Sequence, residues 1–148
     1  MNTKYFGDIT IKQEEIITFT SGLFGFEDKL KYILLSFLDN NDESSEDFLL
    51  CLQSVEDPNL ALIVINPYYV CSEYDPYQLS DKLLAEIQLG QETKHTVCCV
   101  AVINDNFEES TINLKCPIII NLENKLAKQF ILEDSDYSMR HPVTVKEV

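Results

Sequence analysis

The residues of this chain that could do chemistry are two histidines, five cysteines and several adjacent carboxylate pairs. His95 lies in the polar stretch "QETKHT" and His141 in "MRHP", and a Ser or Cys nucleophile would need one of them beside it as a base. Sequence alone places no nucleophile against either ring. The pairs Glu27/Asp28, Glu56/Asp57 and Glu133/Asp134 could divide general acid and general base between them, but adjacent carboxylates are commonplace in a chain with 25 of them. "EDSDY" gathers Glu133, Asp134 and Asp136 without the ligand ladder and glycine of a calcium loop, so it reads as a solvated turn. Cys51, Cys71, Cys98, Cys99 and Cys116 are odd in number, sit mostly inside apolar runs and show no CxxC spacing. They read as small core hydrophobes. Cys98 and Cys99, neighbours on a strand, should face opposite sides and so cannot comfortably share one metal. The residues predict no catalytic, cofactor or metal site.

One further stretch imitates a ligand device. In "SGLFGFED", residues 21 to 28, Gly22 and Gly25 stand three apart, as in GxxG loops that clamp nucleotides through backbone amides. Leu23 and Phe24 occupy the interior where a basic side chain would help, and Glu27 and Asp28 follow to repel phosphate. The glycines instead predict a compact double turn with positive φ at both, from which Leu23, Phe24 and Phe26 project.

The elements that must position these residues are mostly strands. "DITI", "IITF", "YILLSF", "FLLCLQSV", "LALIVIN", "TVCCVAVI", "TINL", "PIIIN" and "KQFIL" are short, rich in Ile, Val, Phe and Thr, and separated by polar breaks. They predict a mainly β, compact antiparallel barrel-like or sandwich-like single domain. One or two short helices complete it. In "QLSDKLLAEIQLG" Ser80 supplies an N-cap, Leu83, Leu84 and Ile87 share a face, and Gly90 can end the last turn. "LDNNDESSED", residues 38 to 47, holds five carboxylates and no cation, which suits a solvated loop or a landing strip for a basic partner.

Charge then narrows the partners. A formal charge of −14 and a pI near 4.3 repel phosphate backbones and anionic lipid, which argues against direct nucleic-acid or membrane binding and for a basic protein partner. The start of the chain shows no apolar signal-peptide core, so a cytoplasmic location is expected. Strong charge without a coiled-coil pattern makes a monomer the default for the free protein.

Four segments, "FTSGLFGFED", "LQSVEDPNLALIVINP", "NLKCPIIIN" and "KQFILEDSDYSMRHP", follow one another in a pattern that resembles the signature blocks of the bacterial flagellar assembly factor family, FliW, and the resemblance runs from Tyr5 to Pro142. The chain departs from that pattern at Thr20 and Phe24, where the family usually has proline. The resemblance implies a non-enzymatic cytoplasmic adaptor with a barrel-like β fold. It would bind flagellin and, when flagellin is scarce, the RNA-binding regulator CsrA, relieving repression of flagellin translation. A generic acidic chaperone for another exported subunit is the alternative, and a small enzyme built on His141 a third reading. Contact candidates, polar and aromatic residues flanking the apolar strands, are Phe24, Phe26, Glu27, Glu56, Asp57, Asn66, Tyr68, Tyr69, Tyr137, Arg140 and His141. Gly22, Gly25, Pro58, Pro67 and Pro117 read as turn and strand-end residues. Arg140, the lone arginine, could instead be tied internally to Glu133 or Asp136.

Overall fold

Side chains alternate between the two faces of a strand, and the Ile- and Val-rich segments of this chain bury both faces. The computed structural model describes residues 1–37 and 49–144, so the acidic run 38–47 lies outside the described residues. The strands are β1 (Asn2–Thr3), β2 (Gly7–Asp8), β3 (Ile17–Phe19), β4 (Lys31–Ser36), β5 (Leu49–Ser54), β6 (Ala61–Ile65), β7 (His95–Val102), β8 (Thr111–Ile112), β9 (Ile118–Asn121), β10 (Leu126–Gln129) and β11 (His141–Pro142). Among the described residues a 7-strand barrel closes in the order β7-β6-β5-β4-β3-β10-β9, with β9 returning to β7. β8 branches from the far end of β7 and carries β11 on its outer edge.

The expected antiparallel barrel is present with one exception. β3 lies parallel to β10, Thr18 opposite Leu126 and Phe19 opposite Ala127, and this seam joins the two ends of the meander. Thr20 extends the seam by donating its N–H to the Ala127 carbonyl at 3.0 Å.

Inward residues fill the barrel: Phe19, Tyr32, Leu52, Val64, Cys98, Ile118 and Ile120 are all buried, and Phe19 meets Tyr32 edge-on at 5.2 Å. Outward residues of β6, β7 and β9, namely Ile65, Val97, Cys99 and Ile119, form a second cluster with Val70, Tyr74, Ile87, Phe130 and Leu132 from the connecting segments. Cys98 and Cys99 therefore belong to opposite faces, as their adjacency predicts. Burial pushes the Cys51 thiol up to about 11 and that of Cys99 to about 12, which keeps both protonated and unreactive near neutrality.

Two elements differ from expectation. "DITI" supplies only Asp8 to a strand; β2 folds back on β1, and the terminal amino group donates to Asp8 and to the Ile9 carbonyl. The helix α1 (Asp81–Ala85) starts as predicted, with Ser80 Oγ accepting the Leu83 N–H at 3.2 Å, but it ends before Gly90. Gln88 takes the left-handed position (φ 57), its N–H donates to Ala85 O at 3.0 Å and that of Leu89 to Leu84 O at 3.1 Å. Those two bonds satisfy the last carbonyls and bring Leu89 back over Leu84. Asn121, at the end of β9, holds this terminus to the barrel: its amide donates to Ile87 O at 2.8 Å and Gln88 O at 3.3 Å, while its Oδ1 accepts the Glu123 N–H at 2.9 Å.

Candidate partner-binding site

The double turn at residues 21–29 forms as its glycines predict, with φ of +73 at Gly22 and +91 at Gly25. The expectation that three apolar side chains project from it is corrected. Leu23 is 1% exposed and inserts into the barrel, whereas Phe24 (47%) and Phe26 (37%) face outward. The split follows from the bonding: Phe26 N–H donates to Leu23 O at 2.8 Å, and Phe24 N–H donates to Oε1 of the buried Gln129 at 3.0 Å. Gln129 in turn donates to Cys116 O at 3.3 Å. The carboxylate of Glu27 accepts the Gly25 N–H at 3.1 Å, so this contact candidate also closes the turn on which it sits.

Glu56 and Asp57 are likewise committed to backbone. One Glu56 oxygen accepts the N–H groups of Leu30 and Lys31, each at 2.9 Å, joining the β5–β6 turn to the end of the glycine turn. These two bonds hold the carboxyl below its ordinary value, Leu30 first, with Lys29 and Lys31 adding to the effect. Asp57 Oδ1 accepts the Asn59 N–H at 2.9 Å, and Ser54 Oγ accepts those of Glu56 and Asp57. Beneath them the fully buried Gln53 accepts the Lys4 N–H at 3.0 Å and turns its amide toward the carbonyls of Ser54 and Leu60. Because the folded Glu56 carboxyl titrates lower than the unfolded one, its contribution is complete above about pH 4.5 and disappears as pH falls through the depressed value. Urea unfolding of Glu56→Gln across pH 3 to 7 should show a shallower acid-side loss of stability than the parent. Identical slopes would exclude this role.

A rim of aromatic residues forms the third part. Asn66 Oδ1 caps the short turn Pro67–Tyr69 by accepting the Tyr68 N–H at 3.0 Å, leaving Tyr68 and Tyr69 exposed. Tyr68 packs edge-on against buried Tyr74 (6.0 Å), which meets Tyr137 at 4.8 Å; Tyr74 OH donates to Leu114 O at 2.6 Å, and Tyr137 OH accepts the Asp75 N–H at 2.9 Å. Desolvation first, and the neighbouring Tyr77 second, push the Tyr68 phenol up to about 12. Tyr77 OH lies 2.6 Å from His95 Nε2, and His95 Nδ1 lies 2.8 Å from Thr93 O. A carbonyl only accepts, so Nδ1 carries a proton toward Thr93, and Nε2 is the atom that meets the Tyr77 hydroxyl. Beside this pair is a half-open cavity of about 580 Å³ lined by Tyr77, Asp81, Leu84, Leu89, Gly90, Gln91 and His95.

Arg140 is exposed, and among the described residues it has no ion pair with Glu133, Asp136 or any other carboxylate. Its side chain borders a shallow depression with Asn104, Thr111, Asn113 and Met139. His141 sits in β11 opposite Ile112, its Nδ1 2.8 Å from its neighbour's carbonyl. The predicted residues thus fall into three groups. Phe24, Phe26 and Glu27 are linked through Leu30 to Glu56 and Asp57; Asn66, Tyr68 and Tyr69 are linked through Tyr74 to Tyr137; Arg140 and His141 lie on the β8–β11 extension. Sequence reasoning passed over Gln53, Asn121, Gln129 and the Tyr77–His95 pair. Each has a partner distant in the chain, Lys4 for Gln53, Ile87 and Gln88 for Asn121, Phe24 for Gln129 and Tyr77 for His95, and the sole signal was the presence of Gln53, Asn121 and Gln129 inside the signature blocks.

Comparison with known proteins agrees with this architecture. The family described as "FliW protein" matches residues 1–143. Among similar sequences, the flagellar assembly factor FliW of Clostridium tetani is 33% identical over 147 residues, covering 99% of this chain and 97% of its own. That of Bacillus subtilis is 34% identical over 143 residues, covering 97% and 95%. A crystal structure of the flagellar assembly factor FliW superposes with a TM-score of 0.87 at 31% identity, covering 100% of this chain and 99% of the other. With the family match spanning the barrel, the glycine turn and the tyrosine rim, the chain belongs to the FliW family.

Proposed function

We propose that this protein is a single-domain, non-enzymatic cytoplasmic adaptor in flagellar assembly, which binds flagellin and the translational regulator CsrA and so couples flagellin synthesis to its use. The observation that carries this reading is family membership over residues 1–143, in a chain that holds several of the candidate aromatics outward. Phe24, Phe26, Tyr68 and Tyr69 are each between 37% and 47% exposed, on backbone fixed by Gln129, Glu56 and Asn66. Rigid, amphipathic rings of this kind make contact area at low entropic cost. The charge of −14 suits a basic RNA-binding regulator as partner and disfavours RNA itself. Two ligands that exclude one another on one protein form a switch without any chemical step.

Mixing the purified protein separately with CsrA and with flagellin, and reading complexes by size-exclusion chromatography and calorimetry, tests this. A complex with each is expected at micromolar concentration, with association to CsrA slowing as salt rises from low to physiological strength. Absence of both complexes would reject the adaptor role and favour a chaperone for another subunit. Complex formation at a rate indifferent to salt would reject electrostatic steering alone.

A further inference from the structure

We propose that the half-open cavity between α1 and the Tyr77–His95 pair receives an arginine side chain of the basic regulatory partner, an assignment that rests on the adaptor reading above. The cavity is built before any ligand arrives. The helix-terminal bonds from Gln88 and Leu89 set Leu89 against Leu84 as its apolar floor, and Gly90 N–H donates to Thr93 Oγ1 at 2.9 Å to fix the next turn. Tyr77, 43% exposed, is locked in orientation by its bond to His95, which is itself anchored on Thr93 O. A preformed wall of this kind lowers the ordering cost of binding.

The lining chemistry then selects the occupant. Leu84 and Leu89 offer apolar surface for a methylene stem, and the Tyr77 ring offers a face for a cation. The Asp81 carboxylate at the rim is exposed and has no ion pair among the described residues. Among the described residues no lysine or arginine lines the cavity. A purely apolar side chain would leave Asp81 unused, and an anion would meet both Asp81 and a molecule of net charge −14. A guanidinium is planar, pairs with a carboxylate through two parallel bonds and stacks flat on an aromatic ring, whereas an ammonium is a compact point charge without the fork or the flat face.

The test titrates the ¹⁵N-labelled full chain with acetyl-Leu-Arg-Leu-amide, its citrulline counterpart and its lysine counterpart. The arginine peptide should give saturable shifts at the amides of Leu84, Leu89, Gly90 and His95. Loss of the charge-assisted pair, in the citrulline peptide or in Asp81→Asn, should weaken that binding about tenfold. Equal affinity for the citrulline peptide, or shifts spread over the acidic surface and unchanged in Asp81→Asn, would overturn the assignment; equal affinity for lysine would overturn the guanidinium preference. Thermal unfolding confirms that the variant, altered at an exposed side chain, is folded. A complex with CsrA that Asp81→Asn weakens supports the cavity as part of the interface. If both proteins bind CsrA alike, the cavity assignment fails while the adaptor role stands; if neither binds CsrA or flagellin, the adaptor role fails and the peptide titration still decides the cavity.

Discussion

Gly22→Ala is expected to destabilise the protein by about 3 kcal/mol, from two additive causes. At φ +73 an L-residue costs about 1–2 kcal/mol relative to glycine. The added Cβ would also fall 2.7 Å from Glu27 Cα and 2.8 Å from Glu27 O. Both are backbone atoms of a turn tied by Glu27 to Gly25, so no side chain can swing aside, and forced overpacking adds about 1–3 kcal/mol. Gly25→Ala supplies the contrast. Its φ of +91 is also left-handed, but nothing lies within 4 Å of the new Cβ, so only the conformational cost of about 1–2 kcal/mol applies. Urea midpoints for the two variants should therefore differ clearly, and equal losses would refute the close-approach argument. Since Leu23 plugs the barrel and Phe24 faces out from the same turn, a displaced Gly22 should also weaken partner binding under conditions where the variant is still folded.

Asn121→Ala should cost a similar amount, about 3 kcal/mol, by a different route. Truncation strips the carbonyls of Ile87 and Gln88 and the N–H of Glu123 of their partner at a side chain only 2% exposed. Each buried group left unpaired costs about 1–3 kcal/mol, reduced where water can enter. The loss should also be local in character. Amide exchange at Gln88 and Leu89, whose protection depends on the helix end staying docked, should accelerate more than exchange in β5 or β6. Uniform acceleration across the barrel would show that Asn121 supports the sheet as a whole and not the helix terminus.

These positions also mark how far the sequence was readable. Strands such as Ala61–Ile65 and His95–Val102 announce themselves because both faces are buried and almost every residue is apolar or β-branched. Strand partners do not announce themselves, since Thr18 and Leu126 carry nothing that specifies a parallel neighbour. β11 and the β1–β2 ladder contain too few residues for any period to show. The start of α1 was legible through Ser80, but its end was not, because the left-handed position fell to Gln88 where glycine is the usual choice. Among the candidate contacts, type and exposure agreed for Phe24, Phe26, Tyr68 and Tyr69. Glu27, Glu56 and Asp57 resembled surface charges, yet their oxygens cap backbone N–H groups, which composition cannot reveal. Even the two missing prolines acquire a physical reading: Thr20 and Phe24 each use the N–H that proline would lack, and both donate across to β10.

The parallel seam between β3 and β10 has a consequence for the timing of synthesis. Translation delivers β3, β4, β5 and β6 in order, each able to pair antiparallel with the strand just made. Such a growing meander is an open sheet with two free margins, a state prone to pairing with other chains. Only when β9 and β10 have left the ribosome can β9 join β7 and β10 join β3, sealing both margins at once. Phe24 is held by Gln129 of β10, so its outward pose also waits for that moment. A nascent chain therefore remains unable to present its finished glycine turn until most of its residues have been made, and the turn takes its final form with barrel closure.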